Sequence, residues 1–241
     1  METKTNDKFL PVAVILAGLF IGGAVMWNGS HPNGSKDGQQ AGTGAAVSVD
    51  IKNVKTAGNP FIGKADAPVT IAFWSDFQCP YCKAFVIGGI PQIPTPAALP
   101  EIIKNYVDTG KVKVVFMDFT FLSEDSTTAA LYSHAVWKLY PEQYATWHVE
   151  MYKAQDEEHK GFGNATTIDK LNATIAGLDA AKIAADVKAN TSTYQAMVDS
   201  DKAEATKAGI RATPSFVIGT QLIEGAYPYA KFQSAIDAVL K

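Results

Sequence analysis

The chain has 241 residues, a net charge of −3 and 47% hydrophobic residues, enough apolar material for one large domain or two small ones. The weak acidity excludes the concentrated Lys and Arg of a nucleic-acid binder. No segment repeats at a fixed period, which excludes a solenoid or a propeller.

The first element in chain order is "FLPVAVILAGLFIGGAVMW", Phe9 to Trp27, with no charged residue. As a helix it would be about 28 Å long, close to the hydrocarbon thickness of a bilayer. A cleaved signal peptide is the main rival, but "GAVMWNGS" lacks the small-residue pattern of a cleavage site. Lys4, Lys8 and the terminal amine precede the span, while Lys36 is the one Lys or Arg in the next 20 residues. That bias puts residues 1–8 in the cytoplasm, a single-pass anchor at 9–27, and the rest outside the cell membrane. Residues 28–47 are Gly-rich and polar and read as a flexible tether with a reach of about 25 Å. A folded domain is expected over 48–241.

Within it, "PVTIAFW" (68–74) predicts a strand buried on both faces. It leads directly into "SDFQCPYCKAF". A helix with Leu99, Ile102, Ile103, Tyr106 and Val107 on one stripe follows, ending near Gly110. Val112 to Phe119 is a second strand. Helix formers then dominate, and residues 122–207 are predicted to be a helical insertion forming a lid or subdomain. "SFVIG" and "QLIEG" predict a hairpin around Gly219 and Thr220. A final helix runs from Tyr229 to Leu240. Strands alternating with helices favour an α/β fold with a parallel core.

The chain holds two cysteines, Cys79 and Cys82. Zinc needs four ligands, and the four scattered histidines with one cysteine pair do not make such a set. A staple across so short a loop removes little chain entropy. Redox exchange has a mechanism, because Cys79 falls at a helix amino terminus, where backbone N–H groups and the helix dipole favour a thiolate. Cys82 lies one turn on, able to attack a mixed disulfide formed at Cys79. Pro80 suits the first helical turn. His134 and His148 sit in apolar helical stretches and read as packing residues.

"DAPVTIAFWSDFQCPYCKAF" resembles the active-site segment of DsbA-like thiol-disulfide oxidoreductases of the thioredoxin superfamily. "YVDTGKVKVVFMDF", "AGIRATPSFVIG" and "IEGAYPYAKFQSAID" resemble that family's later segments, in order. The likeness runs from about Asn59 to Leu240 and is weakest in the insertion. It implies a thioredoxin-like fold in a bacterial, extracytoplasmic and often tethered protein. It further implies a cis Pro214 beside the cysteines, with Thr213 offering backbone hydrogen bonds to a bound peptide. Two departures stand out. Tyr81 occupies a position where well-known members carry His, so a higher Cys79 pKa and a less oxidising disulfide are expected. Phe73 lies where several thioredoxin-like proteins carry a buried acid. Asp76 is the nearest acid, as a proton relay or as a cap of the helix. The role of the four prolines between Val86 and Pro100 stays open.

The resulting expectation is a membrane-anchored enzyme that introduces disulfides into exported cysteine-containing proteins through its Cys79–Cys82 disulfide. A membrane redox partner, quinone-linked in family members, would reoxidise the pair. No bound cofactor, no metal and no nucleic acid are expected, and the protein should be a monomer. One alternative is a reductase or isomerase, although residues 28–60 are too short and polar for the dimerisation domain of an isomerase. Another is a non-enzymatic adaptor or chaperone domain with a structural disulfide.

Overall fold

A computed structural model describes residues 49–156 and 160–241. The expected anchor at 9–27 and tether at 28–47 lie outside the described residues, among which no helix is long and apolar enough to cross a membrane. Strand β2 (Val69–Ser75) is the centre of the fold. Its β-branched and aromatic residues suit a pleated, covered surface, and alternation sends Ile71 and Phe73 to one core layer and Ala72 and Trp74 to the other. Among the described residues the sheet has five strands in the order β1-β3-β2-β4-β5. These are β1 (Phe61–Ile62), β3 (Val112–Asp118), β4 (Ser215–Ile218) and β5 (Gln221–Glu224) around β2.

The parallel core expected from the element order is corrected to a mixed sheet. Of the strand pairs, β2–β3 is parallel, whereas β1–β3, β2–β4 and β4–β5 are antiparallel. The hairpin at Gly219 forces the last of these. Gly219 has φ +58°, and a Cβ there would stand 2.6 Å from Val239 Cγ2. Strand β1 was not foreseen, since two residues carry no periodic signal.

One face of the sheet is covered by α1 (Pro80–Val86), α2 (Leu99–Ile102) and the last helix, α7 (Tyr229–Leu240). Phe73 stacks on Phe216 with ring centroids 4.8 Å apart, and Phe85 and Phe232 close the aromatic cluster. The single helix expected over 99–107 becomes a π-helix at Ile103–Val107. The wider turn buries Tyr106 and Val107 and lets the Tyr106 hydroxyl donate to Asp237 at 2.6 Å.

The insertion consists of α3 (Glu124–Leu139), α4 (Tyr144–Ala154), α5 (Ala165–Asn172) and α6 (Ala180–Lys207). Ser123, Asn164 and Asp179 cap α3, α5 and α6 through their side chains. The sequence suggested a break near Asn190, where Asn, Thr and Ser lower helix propensity. Instead α6 is one helix of 28 residues. Tyr194, Val198 and Ala205 are buried along it, and this packing overrides the weak local preference.

A polar cluster joins α6 and α3 to β3. His134 Nε2 lies 2.8 Å from Asp118 Oδ2. Asp201 accepts from the Asp118 backbone N–H at 2.8 Å and from Asn59 Nδ2 at 2.7 Å. Burial, and then the charge of Asp118, pushes the Asp201 carboxyl up to about 7. Burial works against a charged His134, but the neighbouring Asp118 and Asp201 outweigh it and raise its pKa. Both groups therefore hold protons more tightly in the folded state than in the unfolded chain. Their contribution to stability is present at low pH and is lost as pH rises from about 4, the unfolded carboxyl value, through about 7. Thermal unfolding of the full-length protein across that range should show the decline. Asp201→Asn should lower stability throughout by about 1–3 kcal/mol, because one donor then faces an amide instead of an acceptor, while flattening the slope.

Candidate active site

The chain leaves β2 at Ser75 and turns at Asp76, whose backbone carbonyl accepts the Cys79 N–H at 3.0 Å. Cys79 is the N-cap of α1, with extended backbone (φ −79°, ψ 120°), and Pro80 takes the first helical position. Cys79 is 4% exposed and Cys82 fully buried, and the two thiols are unbridged. No conventional capping bond forms at Cys79. Its thiol is nonetheless lowered to about 7, chiefly by hydrogen bonding with the Cys82 thiol and, against the cost of burial, by Thr213 and the backbone N–H groups of Cys82 and Tyr81. Burial pushes Cys82 in the opposite direction, well above an ordinary thiol, and the neighbouring Cys79 adds to this. One sulfur of the pair is thus disposed to be a thiolate and the other to keep its proton.

The peptide bond between Thr213 and Pro214 is cis, as the resemblance implied. It brings the Thr213 carbonyl to 3.5 Å from Cys79 Sγ, where it accepts from the thiol. Tyr81 points outward and is 53% exposed.

Asp76 is buried, and burial raises its pKa. Its Oδ1 accepts from the Gln78 N–H at 2.8 Å. Its Oδ2 accepts from the N–H groups of Phe121 and Leu122 at 3.1 and 3.4 Å. The carboxylate therefore braces the turn before Cys79 and ties it to the loop that opens the insertion, which corresponds to the capping alternative for this residue. Position 73 holds a stacked phenyl ring and no acid.

Three further residues escaped the sequence reading. Gln155 is 6% exposed, and its amide nitrogen donates to the carbonyls of Phe77 and Cys79 at 2.7 and 3.2 Å. Its backbone carbonyl accepts from Lys83 Nζ at 2.7 Å. Tyr152 is fully buried beside the turn, its hydroxyl donating to the Asp76 carbonyl at 3.4 Å. Gly163 has φ +118°, and a Cβ on it would collide with Gln78 Nε2 at 2.2 Å. Each acts across a long stretch of chain, and only Gly163 carries a local cue, as a glycine in a Gly-rich loop. Of the histidines, His148 packs between Phe77 and Phe116 and is held neutral by burial, with its pKa near 3 (lowered to about 3). His134 belongs to the Asp118 cluster. Among the described residues no group of three or more His, Cys, Asp or Glu side chains is arranged to hold a metal.

The sequence pattern of the thioredoxin family matches residues 55–238. Disulfide bond formation protein D of Bacillus subtilis (strain 168) is 28% identical over 184 residues, covering 76% of this chain and 78% of that protein. The probable disulfide bond formation protein D of Bacillus anthracis is 25% identical over 181 residues, covering 75% and 77%. The crystal structure of oxidised BdbD from Bacillus subtilis superposes with a TM-score of 0.68 at 27% identity, covering 81% of this chain and 98% of that one. The chain belongs to the thioredoxin family, among its DsbA-like thiol-disulfide oxidoreductases.

Because the Cys82 thiol is the first cause of the lowered Cys79 pKa, Cys82→Ala should raise it. Thiolate absorbance followed against pH would show the midpoint moving upward from about 7. A midpoint that stays put would mean that the helix terminus and Thr213 suffice by themselves.

Proposed function

We propose that this enzyme works outside the cytoplasm as an oxidase of protein thiols, through the Cys79-Pro80-Tyr81-Cys82 pair. In the oxidised pair a substrate thiolate attacks Cys79 Sγ. The Cys79–Cys82 bond breaks, Cys82 leaves with the bonding electrons and takes a proton, and a mixed disulfide forms at Cys79. A second substrate thiolate then attacks the substrate sulfur and expels Cys79. Two substrate thiols have become a disulfide, and their two electrons reside on the reduced pair. No bound cofactor enters these steps.

The observation that carries this reading is the opposed titration of the two sulfurs. Cys79, near 7 (lowered to about 7), is a competent leaving thiolate, whereas buried Cys82 prefers its proton. Pro214 and Thr213 are proposed as the surface against which the substrate backbone lies, and Tyr81 as the residue that tunes Cys79. The names of the Bacillus relatives, disulfide bond formation proteins, support the oxidising direction. The natural substrates would then be exported proteins with cysteines, and a membrane partner would reoxidise the pair. We place the enzyme as a monomer tethered by residues 9–27.

One observation favours a second reading. A Cys79 pKa of about 7 lies in the range of thioredoxin itself rather than near the value of about 3.5 found in the strongest oxidant. The same site could then run as a reductase fed by a membrane donor. The reduction potential decides between the two. A value well above about −270 mV supports the oxidase, and a value close to it supports the reductase. Tyr81→His should add positive charge beside the thiolate, lower the Cys79 pKa and make the disulfide more oxidising. Cys82→Ala, expressed in the source cell, should accumulate mixed disulfides with exported proteins through Cys79. If no such adducts form, both redox readings fail and the structural-disulfide alternative stands.

A further inference from the structure

The proline-rich loop between α1 and α2 belongs to neither half of the exchange mechanism, yet it is built with care. Helix α1 stops at Val86, where Gly88 and Gly89 adopt φ values of +67° and +74° that reverse the chain. The Gly88 N–H donates back to the carbonyls of Lys83 and Ala84, and the Ala98 N–H donates to the Phe85 carbonyl, closing the base of the loop. At the tip, Ile90 and Ile93 form an isolated bridge across Pro91 and Gln92, with the Ile93 N–H donating to the Ile90 carbonyl at 2.9 Å. Both isoleucines remain partly exposed, and Pro91 and Gln92 are exposed. A short, braced turn that leaves two β-branched aliphatic side chains accessible is an unusual expenditure of apolar surface.

What lies between this turn and the active-site helix is a groove of about 650 Å³. Pro80 and Tyr81 form its near wall, Ile90, Pro91 and Ile93 its far wall, and Gln155 contributes from the insertion. Any polypeptide joined to Cys79 must pass over Pro80 and Tyr81, so the groove is continuous with the surface on which exchange takes place. The polar groups in it are already engaged. Gln155 is committed to the Phe77 and Cys79 carbonyls, Lys83 Nζ to the Gln155 carbonyl, and Asp156 to the Phe162 N–H. The groove therefore selects by shape and apolar burial, and a charged side chain entering it would be desolvated without gaining a dedicated partner.

We infer that this groove docks an extended stretch of the partner polypeptide, next to its reacting cysteine, and favours uncharged aliphatic residues there. The inference rests on the exchange reading above and adds to it a second contact surface, separate from Thr213 and Pro214. Sequences of this kind are buried in folded proteins, so the occupant is a cysteine-bearing chain that has not yet folded.

The test compares the full-length protein with its Ile90→Ser/Ile93→Ser variant on three reductants. These are a peptide with Leu and Val beside its cysteines, the same peptide with Ser in those places, and dithiothreitol. The variant should lose about tenfold in kcat/KM on the aliphatic peptide, chiefly through KM. Its rates with the Ser peptide and with dithiothreitol, and its Cys79 pKa, should be unchanged. An unchanged rate on the aliphatic peptide, or an equal fall on all three reductants, would overturn the groove. A wild-type protein inert even to dithiothreitol would instead overturn the exchange reading, and the groove with it. Should the double variant fold poorly, the aliphatic peptide can be trapped on Cys82→Ala with the loop intact. Methyl resonances of Ile90 and Ile93 should then shift relative to the same adduct of the Ser peptide, and identical spectra would overturn the proposal.

Discussion

The reactive turn is held by a buried carboxylate whose charge is met by main-chain N–H groups. Asp76 accepts from Gln78 on one side and from Phe121 and Leu122 on the other. These bonds fix the approach to Cys79 and the start of the insertion relative to each other. Buried donors left without an acceptor cost about 1–3 kcal/mol each, so the arrangement resists loosening at either end. Gln155 completes the brace from below, through the carbonyls of Phe77 and Cys79. Phe77 lies between these clamps, its ring against Trp147, His148 and Tyr152. The turn thus has little freedom to relax when the oxidation state of the cysteines changes.

That rigidity matters for the chemistry. The sulfurs of Cys79 and Cys82 are one helical turn apart, yet they meet very different surroundings. Cys79 caps the helix and faces the Thr213 carbonyl, while Cys82 is enclosed beside Tyr152 and the apolar core. A thiolate is stabilised where dipoles point at it and penalised where nothing polar remains. The asymmetry follows from backbone placement alone and needs no charged side chain near the pair. In this it differs from a site that depends on an imidazole between the cysteines, and Tyr81, turned out to solvent, contributes little charge to it.

Much of this was legible in the sequence. The apolar run ending at Trp74 announced a buried strand, the Cys-Pro-x-Cys pattern announced a helix start, and Gly219 and Thr220 announced a hairpin. These signals are local, and they survived. The direction of the strands was not local: β4 arrives after the insertion and runs against β2, which an alternation of strand and helix does not foretell. Gln155 was invisible for a related reason. It looks like an ordinary polar residue after a helix, and its value comes from carbonyls 76 and 78 residues away along the chain. Asp76 was singled out for its acidity, but what the fold uses is its capacity to accept hydrogen bonds.

Helix α6 has a mechanical consequence. At 28 residues it is about 42 Å long. Near its start Asp186 pairs with Lys138 of α3, and near its end Asp201 and Ala205 lock into the far side of the sheet. One continuous rod is thus bolted at both ends, and the insertion is a strut, not a hinged lid. A catalyst with so little give cannot mould itself around its client. The compliance in the encounter has to come from the other molecule, which ties the timing of its work to the interval in which a newly exported chain is still slack.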